Sequence, residues 1–416
     1  MAAMSEQRAV QEAQPAPSAG SPSQDARLRG RDIVCVGFAD WDNDVWLNQH
    51  HLMARLARDN RVLFVESLAL REPQLASRDL KRIARRLRRA FTLRRAPEGL
   101  TVLSPLVVPF YRLRAVRALN AVLLRAQVRR AARRLGLSRP ILWTYVPHAG
   151  VLAEVLEPSL VVYHCVDDIT AVPGIDAGSA GAVEADFAAR ADLVFASSPH
   201  LAARMRTYSP RVIDAPNVAD TELFARALAG GPVDPAIDAL AHPRIVFTGA
   251  VVTTKLDLPL LAELARLRPG WSFALVGPVG LGDPRGDISA LRALPNIHLL
   301  GARSYAQLPD VLRGADAGII PYALNPVTDS VFPMKVYEYL AAGLPVVSTP
   351  LPALDGVSEI LRAGDAPQMA EQLDRALAQD SPERRAQRSR EAAGHSWEAR
   401  LHEIAVAVTA REARAR

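Results

Sequence analysis

The sequence predicts an α/β protein built from two doubly wound domains with a cleft between them. Short runs of β-branched and apolar residues alternate with amphipathic helical patterns along most of the chain. This alternation pauses at the proline- and glycine-rich stretch ALAGGPVDPAIDALAHP and then resumes. The 416 residues are also too many for one ordinary hydrophobic core. Continuous apolar runs suit parallel strands that are covered by helices on both faces.

The predicted organisation follows from that pause. It comprises a disordered N-terminal tail (1–29), a first Rossmann-like domain (30–220), a linker (221–243), a second Rossmann-like domain (244–385) and a C-terminal helix (386–416). The predicted strands of the first domain are 33–38, 62–67, 141–145, 160–165 and 193–198. Those of the second domain are 245–250, 272–277, 297–301, 317–322 and 345–349. The cleft between two such domains is the expected ligand site.

The cysteine content and the apolar segments predict the compartment. Cys35 and Cys165 are the two cysteines, and both lie in predicted strands, so we expect buried free thiols and a reducing environment. The first 29 residues have no apolar core typical of a signal peptide, and no run of 18 apolar residues occurs. We therefore expect neither export nor a membrane-spanning helix.

The positive charge is concentrated in one region. Between Arg78 and Arg139 there are 18 Lys or Arg residues against Asp79 and Glu98, although the whole chain carries only +6. In DLKRIARRLRRAF, the apolar residues Leu80, Ile83, Leu87 and Phe91 recur at helical spacing among the arginines. Such helices bind anionic membrane surfaces. An RNA-binding surface and a plain solvated face are the alternatives, but no aromatic interleaving supports RNA.

Several familiar sites are excluded by their motifs. The chain has no G-x-G-x-x-G after its first strand, no G-x-x-x-x-G-K-[ST], no C-x-x-C and no H-E-x-x-H. DWDND (40–44) resembles half of a calcium loop, but Val45 replaces the required glycine and His51 the terminal glutamate. We therefore predict no metal site.

The segment FPMKVYEYLAAGLPVV (332–347) predicts an anion site. Pro333 suits the first turn of a helix, and Gly343 with Pro345 ends it. Lys335 then lies at the helix N-terminus, where a cation is unfavourable unless an anion completes the site. Glu338, one turn further on the same face, can accept hydrogen bonds from a ribose diol. The alternative is an exposed Lys–Glu pair, which contributes only tenths of a kcal/mol.

These residues resemble a known family. FPMKVYEYLAAGLPVVST is similar to the nucleotide-sugar motif of GT-B glycosyltransferases, and APNVADTELF (215–224) is similar to their P-N-G-V-D-x-x-x-F segment, with Val218 in place of the glycine. SWEARLHEIA resembles their C-terminal helix, and long stretches resemble the bacterial transferases of teichuronic acid and exopolysaccharide synthesis. The resemblance implies that the second domain binds a nucleotide-sugar and the first an acceptor. It places Lys335, Glu338, Met334, Ser330, Tyr322, Gly249 and Lys255 at the donor.

The resemblance also bears on the mechanism. Retaining members carry two glutamates eight positions apart; Glu338 matches the second, but Ser330 occupies the position of the first. In VVYHCVDDIT (161–170), His164, Asp167 and Asp168 follow a predicted strand and face the cleft. An inverting transfer needs a general base there. The segment resembles one in a xanthan-type glucuronosyltransferase, which implies that Asp167 is the base. Asp167 and Asp168 as turn caps, and His164 as a core residue, are the alternatives.

The acceptor side is predicted from the loop GFADWDNDVW (37–46). Gly37 permits a close backbone approach, Trp41 could stack on a sugar ring, and His164 lies at the neighbouring strand end. Burial of the tryptophans in the core is the alternative.

The sequence as a whole predicts a metal-independent hexosyltransferase. It would move a sugar from a nucleotide-diphosphate sugar to a lipid-linked or polysaccharide acceptor in cell-envelope or exopolysaccharide synthesis, at the inner face of the cell membrane. The donor is a substrate, and no cofactor and no nucleic-acid partner are expected. A same-fold epimerase or hydrolase, and an inactive membrane-associated partner protein, remain alternatives.

Overall fold

The chain folds around two separate parallel sheets. The computed structural model describes residues 26–43, 45–68, 92–108, 113–171, 175–280, 283 and 286–415. Within them, an eight-stranded sheet forms between residues 32 and 214, and a six-stranded sheet forms between residues 244 and 362. Each sheet is covered by helices on both faces, so that several strands are completely buried.

The first sheet has the strand order β3-β4-β2-β1-β5-β6-β7-β8. Its strands are β1 (Asp32–Val36), β2 (Arg61–Val65), β3 (Leu93–Arg95), β4 (Thr101–Leu103), β5 (Ile141–Thr144), β6 (Leu160–Cys165), β7 (Leu193–Ala196) and β8 (Val212–Asp214). All neighbours are parallel except β3 and β4, which form an antiparallel edge. The strand order reverses at β1, which lies between β2 and β5.

Helices cross over between these parallel strands, as parallel connections require. They are α1 (Asn48–Leu56), α2 (Arg114–Arg134), α3 (Ala153–Leu156), α4 (Ala177–Arg190) and α5 (Pro199–Arg206). Side chains cap two of the N-termini: Asp176 accepts from the Ser179 N–H, and Ser198 accepts from the Leu201 N–H.

The second sheet has the order β11-β10-β9-β12-β13-β14, the doubly wound order in which the chain reverses between the first and fourth strands. Its strands are β9 (Arg244–Thr248), β10 (Ser272–Val276), β11 (Ile297–Leu299), β12 (Ala317–Ile320), β13 (Val346–Ser348) and β14 (Ile360–Arg362). The accompanying helices are α6 (Thr221–Ala225), α7 (Pro235–Asp238), α8 (Leu258–Leu267), α9 (Ser289–Arg292), α10 (Leu308–Arg313), α11 (Lys335–Ala341), α12 (Ala366–Ala378) and α13 (Pro382–Ala392).

The last helix, α14 (Trp397–Ala415), returns to the first sheet. Trp397, Ile404 and Val408 are completely buried in the same core cluster as Ile33 and Trp143. The segment predicted as one C-terminal helix is therefore two, because α13 ends at Ala392 and a short 3-10 turn over Ala393–His395 reverses the chain before α14 begins. The link between the domains thus consists of two chain crossings, at 215–220 and at 393–397.

The predicted fold class is confirmed, and so are the buried free thiols. The ten predicted strands form, and four further short strands, β3, β4, β8 and β14, were not predicted. Residues 1–25 of the predicted tail lie outside the described residues, whereas Leu28 is buried against the first core. The apolar residues predicted between 80 and 91 also lie outside them. Among the described helices, none is long and apolar enough to cross a membrane.

Candidate active site

The residues predicted to bind the donor meet at the carboxyl end of the second sheet. β9 is followed directly by Gly249, and β12 leads through Pro321 and Tyr322 into a loop that ends at α11. These two strands are neighbours at the point where the strand order reverses. A crevice opens at that point in doubly wound sheets, because the loops on either side of it diverge.

Lys335 and Gly249 are in direct contact. A methyl group on Gly249 would lie 2.7 Å from Cε and 2.9 Å from Nζ of Lys335, so only glycine allows the ammonium group to lie against this backbone. Gly249 also has a φ of +134°, which a side chain would strain. The Lys335 Nζ lies 5.5 Å from the centre of the Phe247 ring. The loop after β9 is therefore shaped around the lysine side chain.

The electrostatics keep Lys335 charged. Burial lowers the pKa of its ammonium group, but Tyr322, Glu338 and Tyr339 together raise the pKa by more, so the net shift is upward. Lys335 also begins α11, and the first hydrogen bond of this turn is donated by Val336 to the Pro333 carbonyl (3.2 Å). The N–H groups of Tyr337 and Glu338 likewise donate to the Met334 carbonyl, so this first turn is largely satisfied by its own carbonyls. The fixed positive charge of Lys335 is therefore what suits a phosphate group here.

Glu338 lies one turn further along α11 and is only 6 % exposed. Burial raises the pKa of its carboxyl group, and the charge of Lys335 opposes this shift. The Tyr305 hydroxyl has no hydrogen-bond partner of good geometry among the described residues. Burial raises its pKa, and the nearby charge of Glu338 raises the pKa further. Glu338 is therefore buried and Lys335 half-buried, and their opposite charges interact, in contrast to the exposed pair that was the alternative.

The loop before α11 holds the other predicted donor residues. Tyr322 is buried, and the Ala323 N–H donates to the Lys255 carbonyl (2.9 Å), which brings half-buried Lys255 next to this loop. Ser330 is 1 % exposed, and its hydroxyl donates to the Val327 carbonyl at 3.4 Å. Met334 packs against the core of the first domain. All seven predicted donor residues therefore belong to the two loops after β9 and β12 or to α11.

The two adjacent carboxylates after β6 have different surroundings. Asp168 forms a salt bridge with Arg204 and accepts hydrogen bonds from Thr170 N (2.8 Å) and Thr170 Oγ1 (2.5 Å). Burial opposes its ionisation, but these contacts outweigh burial and lower the pKa of Asp168. Asp167, by contrast, is an exposed residue. Asp168 therefore stabilises the turn, which was the alternative to a catalytic role for this residue. The general-base role of Asp167 stays a prediction.

Arg204 is a residue that the sequence did not single out. Besides Asp168 it contacts Glu184, with Nη2 2.7 Å from Oε2, and Glu184 in turn accepts from the Tyr163 hydroxyl at 2.5 Å. Glu184 is 1 % exposed, and burial raises the pKa of its carboxyl group. This cluster fixes the turn that carries Asp167. The sequence gave no signal for it, because its members lie on four different elements.

The structure contradicts direct acceptor contact by His164. The imidazole is 1 % exposed, stacks on Tyr145 with ring centres 4.9 Å apart, and lies 5.8 Å from both Trp143 and Phe195. Neither ring nitrogen has a hydrogen-bond partner among the described residues. Burial, assisted by the positive charge of Arg400, lowers the pKa of His164 to about 3. His164 is therefore a neutral core residue, because β6 turns this side chain into the sheet packing.

The stacking role predicted for Trp41 is also wrong. Its ring is 3 % exposed, lies 4.8 Å from the Phe64 ring, and donates through Nε1 to Glu98 (3.1 Å). Gly37 does permit a close approach, but to side chains: a methyl group there would lie 2.4 Å from Phe64 Cζ and 2.7 Å from Gln49 Oε1. Gln49 accepts from the Phe38 N–H and donates to the Ala39 carbonyl. The loop after β1 is therefore held inward on the core.

The fold and the site together define a class of protein, the two-domain GT-B proteins. HepE of Anabaena, solved with UDP, aligns with 91 % of this chain and 100 % of its own at a TM-score of 0.64 and 13 % identity. The trehalose 6-phosphate synthase of Burkholderia multivorans aligns with 93 % of this chain and 100 % of its own, with a TM-score of 0.66 and 14 % identity. At such identities the likeness concerns the fold alone.

Two matches in amino-acid sequence, one to a family model and one to a single protein, point to glycosyltransferases within this class. The family model described as glycosyl transferases group 1 matches residues 242–379, which cover the second sheet and the donor-site residues. TuaH of Bacillus subtilis (strain 168), a protein assigned to teichuronic acid biosynthesis as a glycosyltransferase, is 39 % identical over 104 residues. That match covers 24 % of this chain and 25 % of TuaH. The predicted resemblance to GT-B glycosyltransferases of group 1 is thereby confirmed.

Proposed function

We propose that this protein transfers a sugar from a nucleoside-diphosphate sugar to a lipid-linked or polysaccharide acceptor. The observation that carries the proposal is the contact between the Lys335 ammonium group and the Gly249 backbone, beside the buried Glu338 carboxylate. The cation and the helix N-terminus suit a diphosphate, and the carboxylate suits a ribose diol. HepE, a protein of the same fold, has been solved with UDP and with UDP-glucose, which makes UDP the first nucleotide to test.

The chemistry follows from where charge develops. Departure of the nucleoside diphosphate leaves negative charge on its phosphates, and the Lys335 ammonium group at the start of α11 would stabilise it without help from a metal ion. The acceptor hydroxyl must lose a proton on the opposite face of the sugar. Asp167 is the proposed base, and the outcome is inversion, because Ser330 cannot act as the carboxylate that retaining relatives carry.

The donor site is tested by calorimetric titration of UDP into the full chain. Lys335→Met keeps the length of the side chain but removes its charge, and it should weaken UDP binding by about 1–3 kcal/mol. Arg266→Met is the control, because Arg266 is an exposed basic residue near the end of α8 that was not predicted to bind the donor. Glu338→Gln should weaken UDP more than pyrophosphate, because only UDP offers the diol. Unchanged UDP affinity in the Lys335 and Glu338 variants would refute the donor site.

The general base is tested separately. Asp167→Asn should abolish most sugar transfer while UDP still binds, because an amide cannot accept the proton. Product stereochemistry determined by NMR provides a second readout, and a retained anomer would contradict inversion. Free sugar or an epimer formed without acceptor would instead indicate a hydrolase or epimerase of the same fold. UDP binding without any turnover would indicate an inactive partner protein.

The basic region supports a place at an anionic membrane surface on the cytoplasmic side. Helix α2 contains seven arginines and no acidic residue, and its buried face includes Leu124 and Val128. On its outer side, Leu119 is 47 % and Val122 is 60 % exposed. Arginines attract anionic headgroups, and exposed apolar side chains insert beside them. This combination favours a lipid-linked acceptor.

Vesicle flotation tests the membrane surface. Wild-type protein should float with vesicles that contain anionic lipid and be largely released near 0.5 M salt, as the Debye length falls well below about 10 Å. Replacing Leu119 and Val122 by serine should remove the salt-resistant fraction. Replacing Arg129, Arg130, Arg133 and Arg134 by glutamine should lower binding at low salt. Equal flotation with neutral vesicles would contradict an electrostatic attachment.

A further inference from the structure

A chain of three hydrogen bonds, the first of them buried and the other two partly buried, crosses from the first domain to the donor loop. The Tyr145 hydroxyl donates to Asn48 Oδ1 at 3.0 Å, and Asn48 Nδ2 donates to Asn217 Oδ1 at 2.8 Å. Asn217 Nδ2 then donates to the Phe332 carbonyl at 2.8 Å. We call Tyr145, Asn48 and Asn217 the amide latch. Tyr145 is 6 % and Asn48 is 7 % exposed, so the bond between them is shielded from competing water, and Asn217 is half-buried.

The two ends of the latch lie at the two halves of the cleft. Tyr145 follows β5 directly and stacks on His164 of β6, the strand that leads to Asp167. Phe332 precedes Pro333, and three residues later the chain reaches Lys335. Proline restricts the residue before it to extended conformations, so the direction of the Phe332 carbonyl determines where the turn into α11 begins. A bond to this carbonyl therefore orients the start of the helix that carries Lys335.

Asparagine is required at both amide positions. Each amide accepts one bond through Oδ1 and donates the next through Nδ2, so the chain runs in a single direction from Tyr145 to Phe332. An aspartate at position 217 would still accept from Asn48, but it could not donate to the Phe332 carbonyl and would repel it. This makes Asn217→Asp a nearly isosteric way to break the crossing bond.

The remaining contacts between the domains do not reach the donor loop through a polar side chain. Arg400 Nη2 donates to the Pro216 carbonyl (2.9 Å), and Arg55 Nη2 lies 2.6 Å from Asp220 Oδ2. Both arginines hold the 215–220 crossing to helices of the first domain. Met334 adds an apolar contact between α11 and the core of the first domain. The latch alone joins the donor loop itself to the first domain by hydrogen bonds among the described residues.

We infer that the amide latch positions the donor loop against the first domain, so that Lys335 and the edge of β6 face each other across the cleft. This inference rests on the proposed function. The latch residues are positioning residues, since they act through Phe332 and not on the donor. Donor binding, which uses the second domain, survives their loss, whereas transfer, which needs both domains, does not.

The experiment compares Asn217→Asp and Asn48→Asp with Asn120→Asp in the full chain. Asn120 is the matched control, because it is 3 % exposed and bonds Val108 through both amide atoms within the first domain only. UDP affinity should change little in any of the three. The two latch variants should lose about 10- to 100-fold in kcat, the cost of misplacing reacting groups by about 1 Å, while the control keeps its rate. The double variant should lose no more than either single one.

Small-angle X-ray scattering provides a readout that does not depend on activity. The latch variants should have a larger radius of gyration than the wild type and the Asn120→Asp control. Asn217→Ala serves if the aspartate variants fail to fold, since it removes the bond without adding charge. Failure of the wild type to bind UDP, GDP, dTDP or CMP would refute the proposed function. The scattering comparison would then still test the latch by itself. Unchanged scattering, or unchanged kcat in the latch variants, would overturn the inference.

Discussion

Replacing His164 by leucine should make the protein markedly more resistant to acid. His164 is buried among Tyr145, Trp143 and Phe195, and both of its nitrogens lack partners among the described residues. The folded state therefore holds a neutral imidazole that does not accept a proton, whereas the unfolded chain does. Leucine has a similar volume and brings no polar atom into this core. The substitution removes the titrating group without removing a hydrogen bond.

The sign and size of the effect follow from the two pKa values. Burial lowers the pKa of His164 to about 3 in the folded protein, against about 6.5 in an unfolded chain. Above pH 6.5 neither state binds the proton, so the group has no effect on stability there. As the pH falls below 6.5, the imidazole binds a proton in the unfolded state but not in the folded state, so the free energy of unfolding decreases. At pH 5 this linkage costs about 2 kcal/mol.

Urea unfolding at pH 8 and pH 5 measures this difference directly. The loss of stability between the two pH values should be about 2 kcal/mol smaller in His164→Leu than in the wild type. His200→Leu is the control, because His200 is an exposed histidine whose replacement leaves the core intact. Equal losses in the wild type and in His164→Leu would refute the assignment of a neutral buried histidine. Loss of sugar transfer in a stable His164→Leu protein would restore the acceptor role.

Two further predictions concern the donor loop and the Arg204 cluster. Gly249→Ala should abolish most UDP binding, because its methyl group would displace Lys335. Gly301→Ala is the control: this glycine also has a positive φ (+75°), but no atom lies within 4 Å of the added methyl group, so UDP affinity should not change. Equal UDP affinities of the two variants in calorimetry would contradict the contact between Gly249 and Lys335. Arg204→Met should lower the free energy of unfolding by about 3–5 kcal/mol at pH 7, because the buried Glu184 carboxylate loses its ion-pair partner. If urea unfolding shows a loss no larger than that caused by replacing an exposed arginine, the cluster does not stabilise the fold.

The sequence predicted those parts of the structure that depend on local order along the chain. The central strands were recognisable because they are continuous apolar runs, and Lys335 with Glu338 stood out because a cation at a helix N-terminus needs an explanation. The face that a side chain presents is set by sheet twist and packing, which no local pattern records. His164 and Trp41 were therefore taken for cleft residues although both lie in the core.

Contacts between distant segments were out of reach for the same reason. Asn48 and Asn217 are 169 positions apart, and Arg204 meets Glu184 from a different helix. Each of these side chains is ordinary in its own stretch of sequence. Asn217 lies in APNVADTELF, which was noted for its family resemblance, but nothing in that stretch indicates a partner on α1 or a target at Phe332.

The proposed mechanism divides the chemistry between the two domains. The second domain holds half-buried Lys335 one turn from buried Glu338, and its position 330 carries a hydroxyl that bonds within its own loop. On the first domain, Arg204 forms a salt bridge with Asp168, and the adjacent Asp167 is the proposed base. A base on one domain and a leaving-group cation on the other can act together only if the domains keep a fixed distance. A hydrogen-bonded crossing at Asn217, next to the turn that carries Lys335, is the contact such a division requires.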